Sequence, residues 1–164
     1  MIKNVKWFFV VLVFSSLISL SFNRENVKTE KLSVGDTAPQ FTLRDSVQML
    51  NLHDTREGYT LLSFWASYDA ESREKNTTLA HLVKENDRVD MISVSFDRYA
   101  SVFHATVKQD GLAPEDCFVE TDCSDSEVFR LYDLKGGFSN YLINSRGVIV
   151  AKNVTTDELV SFFP

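Results

Sequence analysis

The stretch LLSFWASYDAESREKN, residues 61–76, changes character at its middle. Its first half, Leu61-Leu62-Ser63-Phe64-Trp65, is apolar and aromatic and too short for a helix, so it reads as a buried strand. Ala66 and Ser67 close the run. From Asp69 to about residue 86 the apolar positions Ala70, Leu79, Ala80, Leu82 and Val83 fall near helical spacing among charged residues. Asp69 stands where a helix begins, and a carboxylate there caps free N–H groups and complements the helix dipole. A buried strand that runs straight into a capped helix predicts an α/β fold.

The flanking sequence extends that pattern. Upstream, VGDTAPQFTLRD carries Gly35 and Pro39 around a short alternating segment, an edge strand or a turn. Downstream, VDMISVSFD places Ile92, Val94 and Phe96 on one face and reads as a second strand. YASVFHATVKQDGL reads as a helix that stops at Gly111. CFVET is a short strand, and DSEVFRLYDL is a short helix with Asp125 or Ser124 as its expected cap. NYLINSRGVIVAKNV predicts a hairpin turning at residues 144–147, and TTDELVSFF a closing helix capped by Thr155 or Thr156 with Glu158 in its first turn. This order predicts a three-layer arrangement, with a central mixed sheet, its early strands parallel and its last hairpin antiparallel, and helices on both faces.

The N-terminus stands outside this pattern. Lys3 and Lys6 precede an unbroken apolar run over residues 7–14 that continues with serines to Leu20. A basic segment followed by an apolar one is the organisation of a secretory signal. The run is shorter than the ~20 apolar residues of a spanning helix, and a cut after Ser21 would leave small residues at Ser19 and Ser21. Residues 1–21 are therefore expected to be a signal peptide or, uncut, an N-terminal anchor. No cysteine lies near the junction for lipid attachment. Residues 22–32 read as a hydrophilic linker, and residues 33–164 as one domain large enough to bury a sizeable core.

The formal charge is −6 for the whole chain, and −8 once Lys3 and Lys6 are removed with the first segment. An acidic domain with scattered lysines is poorly suited to nucleic acid or to an anionic membrane surface. His53, His81 and His104 lie far apart without metal-ligand spacing, so neither a metal nor a cofactor is expected. Asn76-Thr77-Thr78 and Asn153-Val154-Thr155 match the N-glycosylation pattern.

Four segments in order, VGDTAPQFTL, LLSFWAS, MISVSFD with VKQDGL, and NYLINSRGVIVAKNVTTDEL, resemble the thioredoxin fold. Within it they are similar to the redoxin group and to extracytoplasmic thiol–disulfide oxidoreductases of the TlpA/ResA type. The resemblance covers residues 33–162 and implies a thioredoxin-like three-layer fold outside the cytoplasm. In that family an attacking cysteine at a helix N-terminus and a resolving cysteine one turn later carry the chemistry. Those positions fall on Asp69 and Ser72, and the proline opposite them falls on Phe138. A hydroxyl forms no disulfide, so the dithiol exchange implied by the family has no sulfurs here. A peroxidatic cysteine of peroxiredoxin type would fall within residues 65–73, where there is none.

The resemblance thus implies a former active-site face of Trp65, Tyr68, Asp69, Ser72 and Phe138, whose aromatic rim would touch polypeptides. Asp69 itself is first of all a helix cap. The chain has two cysteines, Cys117 and Cys123. If the chain stays extended to Thr121, their Cα atoms lie well over ~7 Å apart, too far for a bridge, whereas a turn at residues 121–122 would bring them back. A structural disulfide, two separate thiols and a relocated redox pair are all open. Three functions follow: a binding or accessory module for extracytoplasmic polypeptides, an oxidoreductase or antioxidant redoxin using Cys117 and Cys123, or a structural part of an envelope assembly.

Overall fold

The computed structural model describes residues 31–43 and 58–162. The apolar N-terminal segment, most of the linker and His53 lie outside the described residues. Strand β1, Tyr59–Trp65, enters from Gly58, where a side chain would collide with the Arg88 carbonyl oxygen. Helix α1, Ala70–Val83, follows it, then strand β2, Val89–Ser95, and helix α2, Ala100–Gln109. Strand β3, Cys117–Val119, and the short helix α3, Glu127–Leu131, lead to the hairpin of β4, Asn140–Asn144, and β5, Ile149–Lys152. Helix α4, Thr156–Ser161, closes the chain.

The five strands form one sheet in the order β3-β2-β1-β4-β5. β1 pairs in parallel with β2, and β2 with β3; β4 pairs antiparallel with both β1 and β5. The mixed thioredoxin-like sheet expected from the pattern is the sheet observed. Period-two alternation then divides β1 between two cores. Leu62 and Phe64 face Val94, Phe96, Tyr141, Val128 and Tyr132, on the side covered by α3 and residues 38–43. Leu61 faces Leu79, Met91 and Leu159, under α1 and α4. Trp65, on the same side as Leu61, clusters with Phe103 and Val107 of α2, and Ala80 of α1 packs against that cluster.

One local expectation holds and another is corrected. The segment at residues 34–45, expected as an edge strand or a turn, opens with a turn closed from Asp36 N–H to the Ser33 carbonyl at 3.2 Å and is followed by the isolated bridge between Thr37 and Val148. Helix α3 is capped by Ser126, whose hydroxyl accepts the Phe129 N–H at 3.2 Å, rather than by Ser124 or Asp125. Those two residues are spent in the 3-10 turn Cys123–Asp125 that precedes the helix. The closing helix follows expectation: Thr155 and Glu158 form a reciprocal capping box.

Candidate functional site at the start of helix α1

The β1-to-α1 junction is held by hydrogen bonds to the side chains of its loop and helix start, while the buried Trp65 Nε1 has no partner among the described residues. Asp97, buried at the exit of β2, accepts the Ser67 N–H at 3.1 Å, the Ser67 hydroxyl at 2.6 Å and the Ser95 hydroxyl at 2.7 Å. This clamps the loop onto the end of β2. One residue beyond the loop, Asp69 is the N-cap of α1, and its Oδ1 accepts the Ser72 N–H at 2.8 Å. Ser72 is buried; its hydroxyl donates to the Asp69 carbonyl at 3.2 Å and accepts the Ala66 N–H at 3.4 Å. Asp69 and Ser72 therefore face each other across the first turn of α1, as the two cysteines of the resembled motif would. Here they satisfy the helix end and each other.

The structure does not gather all five residues of the expected face. Trp65 has no exposed surface and belongs to the core over α2, so it forms no part of an aromatic rim. Its strand position explains this: the alternation that sends Phe64 to one core sends Trp65 to the other. Tyr68 is 73% exposed and is the true rim aromatic of the junction. Phe138 lies half-buried after Gly137, a position of left-handed φ of 123°, and stacks on Phe96 with ring centroids 5.7 Å apart. Among the described residues no peptide bond is cis, including those around Phe138.

Two depressions flank the α1 N-terminus. One, about 390 Å³, is polar and is lined by Asp69, Ser72, Phe138 and the lysines Lys75 and Lys152. Lys75 is paired with Glu71 at 2.6 Å, and Lys152 lies over the Tyr141 ring, 5.0 Å from its centroid. The second, about 490 Å³, lies on the other side of Tyr68 and is walled by Phe96, Tyr99, Val102, Phe129 and Cys123. Sequence reasoning missed Asp97, Tyr99, Val102 and Phe129. The run SFDRYA placed Asp97 and Tyr99 at the end of β2, but only the packing of α2 and α3 brings them to Tyr68.

The two cysteines are free and occupy different places. Cys117 lines a small cavity of about 150 Å³ beside Ala80, Ser93 and Leu112, and packs against the cluster of Trp65, Phe103, Val107 and Leu112. Burial pushes its thiol up to about 11. Cys123 lines the groove beside Tyr68, in left-handed backbone with φ of 50°, and its Sγ donates to the Phe96 carbonyl at 3.4 Å. Burial raises this thiol as well, with Arg98 pulling in the opposite direction. Asn76, in one of the two glycosylation patterns, is fully buried, with its Oδ1 accepting from the Ser93 hydroxyl at 2.9 Å.

Comparison with solved structures fits this geometry. The chain is similar to a thioredoxin-like protein from Parabacteroides distasonis, with 42% identity and a TM-score of 0.73 over 80% of this chain and 95% of that one. It is similar to a thiol-disulfide oxidoreductase from Bacteroides fragilis, with 25% identity and a TM-score of 0.64 over 77% of this chain and 96% of that one. The thioredoxin domain of a thiol-disulfide oxidoreductase from Bacteroides vulgatus shares 22% identity over 80% of this chain and 96% of that one, at a TM-score of 0.64, and so shares the fold. No protein-family model and no curated protein matches the sequence.

Proposed function

The chain belongs to the thioredoxin-like protein family, and we propose that it is an extracytoplasmic member that binds polypeptides without dithiol–disulfide catalysis. The observation that carries this reading is the first turn of α1. Where the family's chemistry calls for a thiolate and a resolving thiol, Asp69 accepts the Ser72 N–H and Ser72 returns its hydroxyl to Asp69. A carboxylate and a hydroxyl so paired stabilise the helix start and accept no disulfide. The exposed Tyr68 and the half-buried Phe138 on either side leave a surface suited to a polypeptide.

The setting outside the cytoplasm rests on the basic-then-apolar pattern of residues 1–21. Among the described residues no helix is long and apolar enough to cross a membrane. The reading that moves the redox chemistry to Cys117 and Cys123 gains little support: the thiols are unbonded, line different cavities, and are both held toward the protonated form.

Insulin reduction by dithiothreitol, followed by turbidity, tests the absence of catalysis. The protein is expected to leave the rate unchanged; an acceleration would overturn the reading. Binding of S-carboxymethylated insulin B chain tests the other half. Capture that is lost in Tyr68→Ala and Phe138→Ala supports a binding face, whereas no capture favours a purely structural role in an envelope assembly.

A further inference from the structure

We infer that the cavity of about 150 Å³ at the C-terminal end of α1 is a binding site for one small neutral molecule that carries a hydrogen-bond acceptor. Val83 of α1, Val89 and Met91 of β2, and Leu112 after α2 are its buried apolar walls. Ser93 and Cys117, register partners on β2 and β3, line it at the sheet. Size sets a first limit on the ligand. A cavity of this volume holds a benzene-sized molecule, and it falls short of the ~300 Å³ at which sites for drug-sized ligands begin. Charge sets a second limit. The lining groups His81, Lys84 and Asp90 are exposed, at the mouth, and no charged lining residue is buried. An ion drawn inside would lose its hydration without gaining a partner.

Unpaired donors set the third limit. Among the described residues, Trp65 Nε1 and Asn76 Nδ2 are the buried side-chain nitrogens without a hydrogen-bond partner, and both residues have no exposed surface. Buried donors are nearly always satisfied, so two together call for an acceptor. Both border the inner end of this one cavity. Asn76 stands one turn before Ala80, a lining residue, on the same face of α1. Its Oδ1 accepts the Ser93 hydroxyl at 2.9 Å, which holds its amide nitrogen beside the Ser93–Cys117 pair. Trp65 clusters with Leu112, and Cys117 packs against that cluster. The Ser93 proton is already given to Asn76, so what the inner end lacks is an acceptor, such as a carbonyl or ether oxygen. Water supplies that acceptor too, but it leaves the four apolar walls uncovered. The cavity lies at the opposite end of α1 from Asp69, so the inference goes beyond the polypeptide-binding reading, and its failure leaves that reading untouched.

The test is an NMR titration of the purified 15N-labelled protein with cyclohexanone, set against methylenecyclohexane, which has the same shape and no comparable acceptor. The ketone is expected to shift the Trp65 indole N–H and the Asn76 side-chain amide, and to bind about tenfold more tightly than the hydrocarbon. Bound ketone is also expected to slow alkylation of Cys117 by iodoacetamide several-fold, and to leave Cys123, which lines a different groove, unchanged. Ala80→Leu fills the cavity with a good helix former and is expected to abolish both effects. Protection of Cys117 is read on the unaltered chain, so it decides the matter whether or not that variant folds. Equal affinity for the two probes, an unprotected Cys117, or a folded Ala80→Leu that binds as the parent does overturns the inference. Unmoved Trp65 and Asn76 signals at the highest soluble ketone concentration overturn it as well, and assign the two donors to water.

Discussion

Asp69→Ala separates a helix cap from a residue kept for chemistry. Asp69 Oδ1 accepts the N–H of Ser72 at 2.8 Å, and Ser72 is buried, so water does not readily replace the lost acceptor. Loss of such a cap costs about 1–2 kcal/mol. The negative charge at the start of α1 adds about 0.3–1 kcal/mol through the helix dipole, and Glu71 in the first turn retains part of that effect. The expected destabilisation is therefore about 2 kcal/mol, a drop of roughly 6–10 °C in Tm for a domain of this size. Asp69→Asn keeps the acceptor and gives up only the charge, so it is expected to lose about 0.5 kcal/mol. Thermal and urea unfolding followed by circular dichroism read both variants. An alanine variant as stable as the parent, or an asparagine variant as unstable as alanine, would refute the capping argument. A gain in stability would point instead to a residue held in place for function.

Other outcomes follow from interactions away from the α1 N-terminus. Arg73 binds Asp110 through two short hydrogen bonds of 2.7 and 2.6 Å, tying α1 to the end of α2 and holding the Asp110 carboxyl below its usual range. A depressed carboxyl stabilises the fold above its unfolded value near ~4 and loses that contribution as pH falls through the folded value. Urea unfolding is thus expected to show stability falling below about pH 4, with a shallower fall in Asp110→Asn. Cys117, with its thiol pushed up to about 11, is expected to react with iodoacetamide at pH 8 roughly a hundredfold more slowly than an exposed cysteine, by mass spectrometry. Tyr132→Phe removes the 2.7 Å hydrogen bond from its hydroxyl to the Pro39 carbonyl and is expected to cost about 1–2 kcal/mol in chemical unfolding. Asn76→Leu leaves the buried Ser93 hydroxyl without its acceptor, so the double change with Ser93→Ala is expected to be more stable than Asn76→Leu alone.

The fold was legible because local and tertiary preferences agree. The apolar run of β1, the carboxylate at Asp69, the Asn144-to-Gly147 turn and the Thr155–Glu158 box each signal in sequence what the structure builds. The cap of α3 was less legible, because Ser124, Asp125 and Ser126 are all able to cap and only the preceding 3-10 turn decides among them. The site was legible in part. Asp69 and Ser72 stand together as their spacing implies, since residues three apart share one turn of a helix. Trp65 misled because resemblance placed it at the surface, while strand alternation and the fit of α2 bury it against Phe103, ring centroids 6.3 Å apart. The groove beside Tyr68 had no local signal. It joins residues from the α1 start, the β2 exit, the α2 start, the Cys123 turn and α3, and only tertiary packing brings those together.

The central claim, that this thioredoxin-like domain works without a redox dithiol, is tested most directly by the redox titration of its two thiols. The purified domain is equilibrated across a glutathione series, alkylated and weighed by mass spectrometry. Cys117 and Cys123 are expected to remain two separate thiols across the range of ~ −120 to −270 mV in which working oxidoreductases cycle. Loss of both together as one two-electron couple within that range would contradict the account and make the chain an enzyme with a relocated redox pair.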